Sequence, residues 1–532
     1  MRRSRVAMST GPDGRTTQRR SGRGVHGDSE VTDTALAGQT GLAGDGTAAD
    51  AGLTRRALLV AGGASLAALA LPVSEGRASG TLGGLIGSAN APRNPGFHSR
   101  PDLRIPALTI NTAAGHAVAP GLILLAPYNA PNGAQAGAVI VDAGGQPVWE
   151  QPLAHLVTTD LRVQTYQGKP ALTWWQGYIT LGHGVGHYVI ADTSYAPIAH
   201  VNAGNRHQGD LHEFLLTSRG TALLTSYTVT SADLRAVGGS KSGSIQDAMF
   251  QEVDVASGKV LLEWHSLDHI PISESYWPLS SNWDYVHLNS IDVDSDENLL
   301  VSCRNTHTIY KINRTTGAII WRIGGKHSDF QIAQAAAFAW QHDARRRPDG
   351  TISIFDNGTK VSRAIVLAVD ETHHTVALQR TYQHPASLFA ISQGDAQTLP
   401  NGNVLVGWGT QPYISEFTEA GELVFDARLG AGYISYRAFR MPWTGEGPGS
   451  PAVATARTSA STKVYVSWNG DTRVAKWSVL AGTSATSLAQ VASVARTGFE
   501  TTISIPATYT HVQVQAHDAT ATLLATTKPT AV

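Results

Sequence analysis

The chain has 532 residues, 15% of them charged, and a formal net charge of -1, which argues against a general nucleic-acid binder built on a basic excess. Its single cysteine, Cys303, excludes an intramolecular disulfide, and 54 glycines with few charges suit a turn-rich β protein. Such a length allows a sizeable core and more than one domain.

Residues 1–53 are rich in Arg, Gly, Ser, Thr and Ala without an apolar period and read as a disordered extension, or as an over-long start with Met8 as an alternative beginning. Thr54-Arg55-Arg56 then precedes an apolar run that ends near Val73. Paired arginines before such a run predict a twin-arginine export signal over 54–78, and so a location outside the cytoplasm. The run is short for a spanning helix, so membrane attachment is expected only if the segment stays uncleaved. Residues 79–105 read as a linker.

From 106 to 445 short apolar strands recur between polar turns. Pro120-Gly121 leads into Leu122–Leu125, Gly168-Lys169-Pro170 into Ala171–Trp175, and Arg219-Gly220 into Leu223-Leu224. Asp296-Glu297 leads into Leu299–Val301, Asp349-Gly350 into Ile352–Ile354, and Asn401-Gly402 into Val404–Val406. Six units of about 45–55 residues, each readable as four strands, predict a six-bladed β-propeller. Radial closure explains how so many short strands coexist without exposed edges. A large β-sandwich is the alternative.

The turns set a register. Counting back eight from the second turn residue gives His212, Asn289 and His342; counting forward seven gives Tyr227, Arg304 and Asn357. His287 lies two before Asn289, on the same face of a strand of period two. Positions eight before and seven after a turn return to one end of a hairpin, so His212, His287, Asn289, Arg304 and His342 should converge. Arg304 and Asn289 are donors suited to a tetrahedral oxyanion, and imidazole can be a nucleophile, an acid/base or a donor.

Other chemistries fit less well. No carboxylate pair converges as a glycosidase requires, and no serine elbow, phosphate-cradling loop or paired-cysteine motif occurs. Three histidines could ligate zinc, but Arg304 opposes a cation, so no metal and no cofactor are expected. Tyr227, Trp175 and Trp408 lie near the hairpin ends and read as contacts to an aryl substrate, with core packing as the plainer role for each. Asp343 and Glu213 are expected to orient adjacent segments, and Arg345, Arg346 and Arg347 to form a solvated basic surface.

Met441–Gly449 breaks the pattern and reads as a linker. Beyond it, Lys463–Gly470, Val474–Val479, Thr501–Ile505 and His511–Ala516 alternate apolar and polar residues. Residues 450–532 therefore predict a small β-sandwich resembling a fibronectin type III module, with Trp468 in its core.

Several segments together resemble the bacterial arylsulfotransferases that work without a nucleotide sulfate donor. They are Asp210–Phe214, Asp284–Asp292, Ser302–Asn305 with Trp321–Gly325, Phe338–Arg345, Gly394–Asn403 and Ser435–Arg440. The resemblance covers about residues 120–445. It implies a six-bladed propeller and sulfuryl transfer from a small aryl sulfate ester to a phenol, with no cofactor. It further implies a transiently sulfurylated histidine at His342, with His212, His287, Asn289 and Arg304 as its site partners. A non-catalytic ligand-binding or adhesion propeller, and a sulfate or phosphate ester hydrolase, remain as alternatives.

Overall fold

The computed structural model describes residues 96–532 except 104, 107, 112–116, 129–136 and 154–155. The extension, the twin-arginine segment and residues 79–95 lie outside the described residues. Among the described residues no helix is long and apolar enough to cross a membrane.

The described chain is all-β, and its helical elements are single turns such as Ser266–His269. Residues 108–441 form six sheets of four or five strands, paired antiparallel throughout except for Gln331–Ile332 on Thr375–Tyr382. The second sheet is Val157–Tyr166, Lys169–Thr180, His183–Ala191 and Pro197–Val201. The third is Phe214–Leu216, Thr221–Ala232, Gly243–Asp254 and Val260–His265. The fourth is Leu288–Val293, Leu299–Cys303, Thr308–Ile312 and Ile319–Gly324. The fifth is built on His342–Arg346 and the sixth on Asp395–Thr398.

The first sheet draws its opening strand from the far end of this region. Ile434–Met441 pairs with Leu122–Tyr128, which is followed by Gly137–Val141 and Pro147–Pro152. Successive sheets touch at or beside their leading strands, and Asp395–Thr398 touches Ile434–Met441, which in turn touches Val157–Tyr166. The series thereby closes on itself.

Between sheets the alternating apolar residues interlock. Trp149, Trp264 and Trp321, each near the end of a repeat, are buried, and the Trp264 indole donates to the Gly317 carbonyl at 3.0 Å. Full burial of such side chains stabilises by about 1.5–3 kcal/mol each.

Where the leading strands meet, charge replaces apolar packing. Glu213 accepts from Arg345 at 2.5 Å, from Arg437 at 3.3 Å and from Arg162, while Arg437 also reaches Asp160 at 2.9 Å. Arg437 is fully buried, and the carboxylates around it hold its guanidinium charged against the cost of burial. The three consecutive arginines therefore do not form a solvated surface. Arg345 pairs with Asp343 at 2.8 Å, Arg346 with Asp294 at 2.8 Å, and Arg347 is buried with its Nε 3.0 Å from Thr398. Arg345 and Arg346 end the leading strand of a sheet and Arg347 follows it directly, so all three meet neighbouring segments.

The flanking segments are packed. Leu103 and Ile105, in the stretch read as a linker, are buried in the core, and Ser99 binds Glu500 at 2.6 Å. Leu108–Ile110 joins the sixth sheet. Trp443 donates to the Tyr195 hydroxyl at 3.0 Å, and that hydroxyl donates to the Gly470 carbonyl at 2.7 Å. The C-terminal region has two sheets, one built on Ser461–Ser467 and one on Lys476–Ser484, around a core that includes Val464, Trp468, Trp477, Ile503 and Val514. It is fastened to the first sheet: Asn469 and Glu150 exchange amide contacts at 3.0 and 2.9 Å.

Candidate active site

Three leading strands carry an irregularity at corresponding places. Pairing slips between Thr159 and Arg162, between Leu288 and Ser290, and between His342 and Arg345. Asp160 and Asp343 within two of these slips, and His287 just before the third, have positive φ of 57°, 58° and 53°. None is glycine, so each carries strain of about 1–3 kcal/mol, and bulges of this kind re-aim side chains beside active sites. Here they present His287 and His342 to a common space.

His342 is buried, and its tautomer follows from its neighbours. Asn357 donates its amide N–H groups to the carbonyls of Ala390 at 2.9 Å and Gln393 at 3.0 Å. Its oxygen must therefore face His342 Nδ1, 2.7 Å away, and that nitrogen must be the donor. Nε2 is left with its lone pair, which accepts the Gln393 backbone N–H at 3.2 Å. Burial first, and then the Arg304 charge, hold this imidazole well below its ordinary pKa, so it stays neutral.

Arg304 follows the strand Leu299–Cys303, and its backbone N–H binds the His287 carbonyl at 2.8 Å. Its guanidinium sits over Trp340 at 4.8 Å and Trp277 at 5.3 Å. Nη1 donates to Asn305 at 2.8 Å and Nη2 to the Ile391 carbonyl at 3.0 Å, while Nε is buried without a protein partner. Burial lowers its pKa to about 10, which leaves it charged at neutral pH. Arg304 and His342 thus hold positions two residues apart in one segment, Ile391 and Gln393.

His212 and His287 are built differently. Each gives Nδ1 to a carboxylate at 2.5 Å, His212 to Asp210 and His287 to Asp284. The two rings are 4.8 Å apart edge-on, and His287 is 6.4 Å from His342. Asp210 is held at about 2 because His212 and the Gly184 N–H outweigh its burial. His287 is pulled down to about 4, by burial first and by His212 and His183 as well, against the opposing pull of Asp284.

A fourth imidazole, His183, completes the cluster at 5.3 Å from His287, 6.1 Å from His212 and 4.1 Å from Tyr227. Tyr227 lines the same group, with its hydroxyl bound to the Leu288 carbonyl at 2.5 Å.

The remaining sequence-predicted residues lie elsewhere. Asn289 is fully buried; its amide donates to the Gln341 carbonyl at 2.8 Å and its oxygen has no partner. Trp175 and Trp408 are fully buried with their N–H groups bound to Gly209 and Ser415, both at 3.0 Å, so neither ring has a free face. The aromatic walls beside the guanidinium are Trp277 and Trp340.

His183 with Asp284 and His287, and His183 with Asp210 and His212, are groups whose ligand-type atoms lie within 4.8 Å of one another. Bonds of about 2.0 Å to zinc would set ligand atoms roughly 3.3 Å apart. The 2.5 Å contacts of both dyads are hydrogen bonds instead, and Asp210 already accepts from Gly184, Thr225 and the His212 backbone. In this arrangement the carboxylates orient imidazoles.

Buried imidazoles, one desolvated guanidinium and flanking indoles are brought together here. Residues 162–430 match the arylsulfotransferase (ASST) family. The chain belongs to that family. No curated protein matches it. A protein of unknown function from Bacteroides caccae is similar in structure at 11% identity and a TM-score of 0.39, over 60% of this chain and 100% of that one. A catalytically inactive virginiamycin B lyase from Staphylococcus aureus is similar at 9% identity and a TM-score of 0.33, over 68% of this chain and 96% of that one. Neither is close enough to speak to chemistry.

The sequence register missed His183, Asp210, Asp284, Trp277 and Gln393. Asp210 and Asp284 stand two and three residues before a site histidine, a spacing that could have marked them. Asn357 stood in register with Arg304 without a role. His183 opens the third strand of its sheet, outside the counted register, and carried no signal.

Proposed function

We propose that this arylsulfotransferase-family chain moves a sulfuryl group from an aryl sulfate ester to a phenolic acceptor through a sulfurylated histidine, in a ping-pong sequence. One observation carries the reading: Asn357 fixes His342 as a neutral imidazole with a lone pair on Nε2, and the Arg304 charge is within electrostatic reach of that ring. Nε2 attacks sulfur, the sulfur–oxygen bond to the aryl group breaks, and the aryl oxygen leaves with the electron pair as a phenolate that solvent protonates, so that His287 and His212 remain as bases for the second half-reaction. Arg304 balances the sulfuryl oxygens, a preorganised charge of the kind that dominates such catalysis. The acceptor hydroxyl then loses its proton to one of these bases as its oxygen bonds to sulfur and the pair returns to Nε2. The Gln393 N–H leaves Nε2 before sulfur can reach it.

The closed series of leading strands supports a six-bladed propeller for 106–445, and the two C-terminal sheets support a fibronectin type III-like module for 450–532. The paired arginines at 55 and 56 support twin-arginine export. Export should fail when both become lysine. For the chemistry, intact-mass measurement after exposure to an aryl sulfate should find one added sulfuryl group on the wild type. Product formation that ignores added phenol would make the chain a hydrolase, and no adduct with no turnover would make it a binding protein.

A further inference from the structure

Two backbone turns hold the carboxylate-partnered histidines, and both depend on one hairpin tip. Leu181 and Gly182, with φ of 52° and 85°, reverse the chain between Lys169–Thr180 and His183–Ala191. The first two residues after that turn each reach a different carboxylate. His183 brings Nε2 to 3.3 Å from Asp284 Oδ2, the same oxygen that accepts His287 Nδ1 at 2.5 Å. Gly184 donates its backbone N–H to Asp210 Oδ1 at 2.6 Å, behind His212. A side chain at Gly184 would meet the Leu211 backbone nitrogen at 2.6 Å and the Trp175 ring at 2.7 Å, so the tip is seated closely. This seating is what the fully buried Trp175 does for the site.

We propose that His183 is a positioning residue of the transfer site, setting the protonation of His287 through the Asp284 oxygen that the two imidazoles share. The inference rests on the sulfuryl-transfer reading for its kinetic consequence but not for its geometry. His183 is 8% exposed, and its Nδ1 is buried with no partner. Among the described residues its charged contact within bonding distance is Asp284. The groups facing it are Asp284 and His287 from the segment before the fourth sheet, Asp210 and His212 from the segment before the third, and Tyr227 from the third sheet. His287 faces these and His342, and Arg304 lies within electrostatic reach of Asp284.

The direction of the effect follows. Burial lowers the proton affinity of His183, but Asp284 and then Asp210 outweigh it and raise the pKa above the ordinary value. A proton on His183 spends part of the Asp284 charge and repels a second proton from His287, whose pKa is lowered to about 4. His287 is thereby kept neutral with Nδ1–H on Asp284 and a lone pair on Nε2, the form able to accept the acceptor's proton. Without His183 the whole Asp284 charge falls to His287. Its pKa then rises, and His287 takes up its proton at a higher pH than in the wild type.

The test is His183→Gln, whose amide nitrogen can replace Nε2 as a donor but cannot carry the proton. Histidine Cε1–H NMR titration of the full chain, assigned with His287→Gln, should show the His287 midpoint raised by about one pH unit. The acid limb of the transfer rate should move up with it, about tenfold in rate at a pH on that limb, with little change in KM. An unmoved midpoint in a folded His183→Gln protein overturns the proposal. Asp284→Asn is the second variant: both histidine midpoints must fall, and a His183 midpoint that stays put also overturns it. A midpoint that moves while the rate profile does not would sustain the coupling and remove His287 from the proposed reaction.

Discussion

The two halves of the site use the same side chain with opposite partners. His342 leans on an amide, Asn357, whereas His212 and His287 lean on carboxylates, Asp210 and Asp284. An amide oxygen fixes a tautomer without adding charge, so the imidazole stays neutral and its lone pair is available. A carboxylate fixes the same tautomer and also rewards a proton, which suits a group that gives and takes one. The surroundings follow the partners: Arg304 and two indoles stand near the amide-held ring, and a fourth imidazole stands near the carboxylate-held pair. Three histidines that look equivalent in sequence are thereby divided by their partners into one amide-held and two carboxylate-held rings, the division that the proposed nucleophile and proton carriers rest on.

The sharpest way to break this comparison is to delete the nucleophile. His342→Ala should abolish both transfer and the sulfuryl adduct, because no carboxylate-held ring would substitute. An adduct on His342→Ala that disappears in His287→Ala or His212→Ala would invert the assignment. Arg304→Ala comes next: transfer should slow by roughly a hundredfold, about 3 kcal/mol, with some adduct still forming. Mass spectrometry of the adduct and initial rates would separate these two effects.

How far the sequence could have led is visible in the same residues. The turn register brought His212, His287, Arg304 and His342 to one end of their sheets, because hairpin length and period two are local rules that the chain obeys. The strand pattern likewise foretold an all-β chain. What the register could not give was partnership between side chains. Asn357 faces His342 because its own amide is held by Ala390 and Gln393, and His183 reaches Asp284 across about a hundred residues of chain. Arg345 was misjudged for the same reason: its partner, Glu213, comes from another sheet, 132 residues earlier. Trp175 and Trp408 counted as aromatics near hairpin ends, but which face of a strand meets a neighbouring sheet is set by packing.

Exchanging the partner should blur the two halves. Asn357→Asp gives His342 a carboxylate, which raises its folded-state pKa from the depressed value set by burial and Arg304. A protonated ring cannot attack, so activity that was present at high pH is lost as pH falls through the raised pKa. The wild type, with His342 kept neutral, should hold its first half-reaction to lower pH. A raised pKa of two units would cost roughly a hundredfold at low pH and little at high pH. A burst of released phenol measured across pH 5–9 reads this directly, and identical wild-type and variant profiles would dismiss the amide as the source of neutrality.

The smallest expected effect belongs to Asn289. Its amide donates to the Gln341 carbonyl, the residue before His342, and its oxygen is buried without a partner. In this arrangement it holds the backbone that carries the nucleophile, and it is a neutral donor where Arg304 is charged. Asn289→Ala removes one hydrogen bond, worth about 0.5–1.5 kcal/mol, and also removes the unpaired oxygen that opposed it. Transfer should therefore fall less than tenfold, with the pH profile of the first half-reaction unchanged because Asn357 still fixes the tautomer. A loss as large as that of Arg304→Ala, measured as kcat/KM for the aryl sulfate, would instead place the Asn289 amide on the sulfuryl oxygens. The Gln341 contact would then be one that bound substrate breaks.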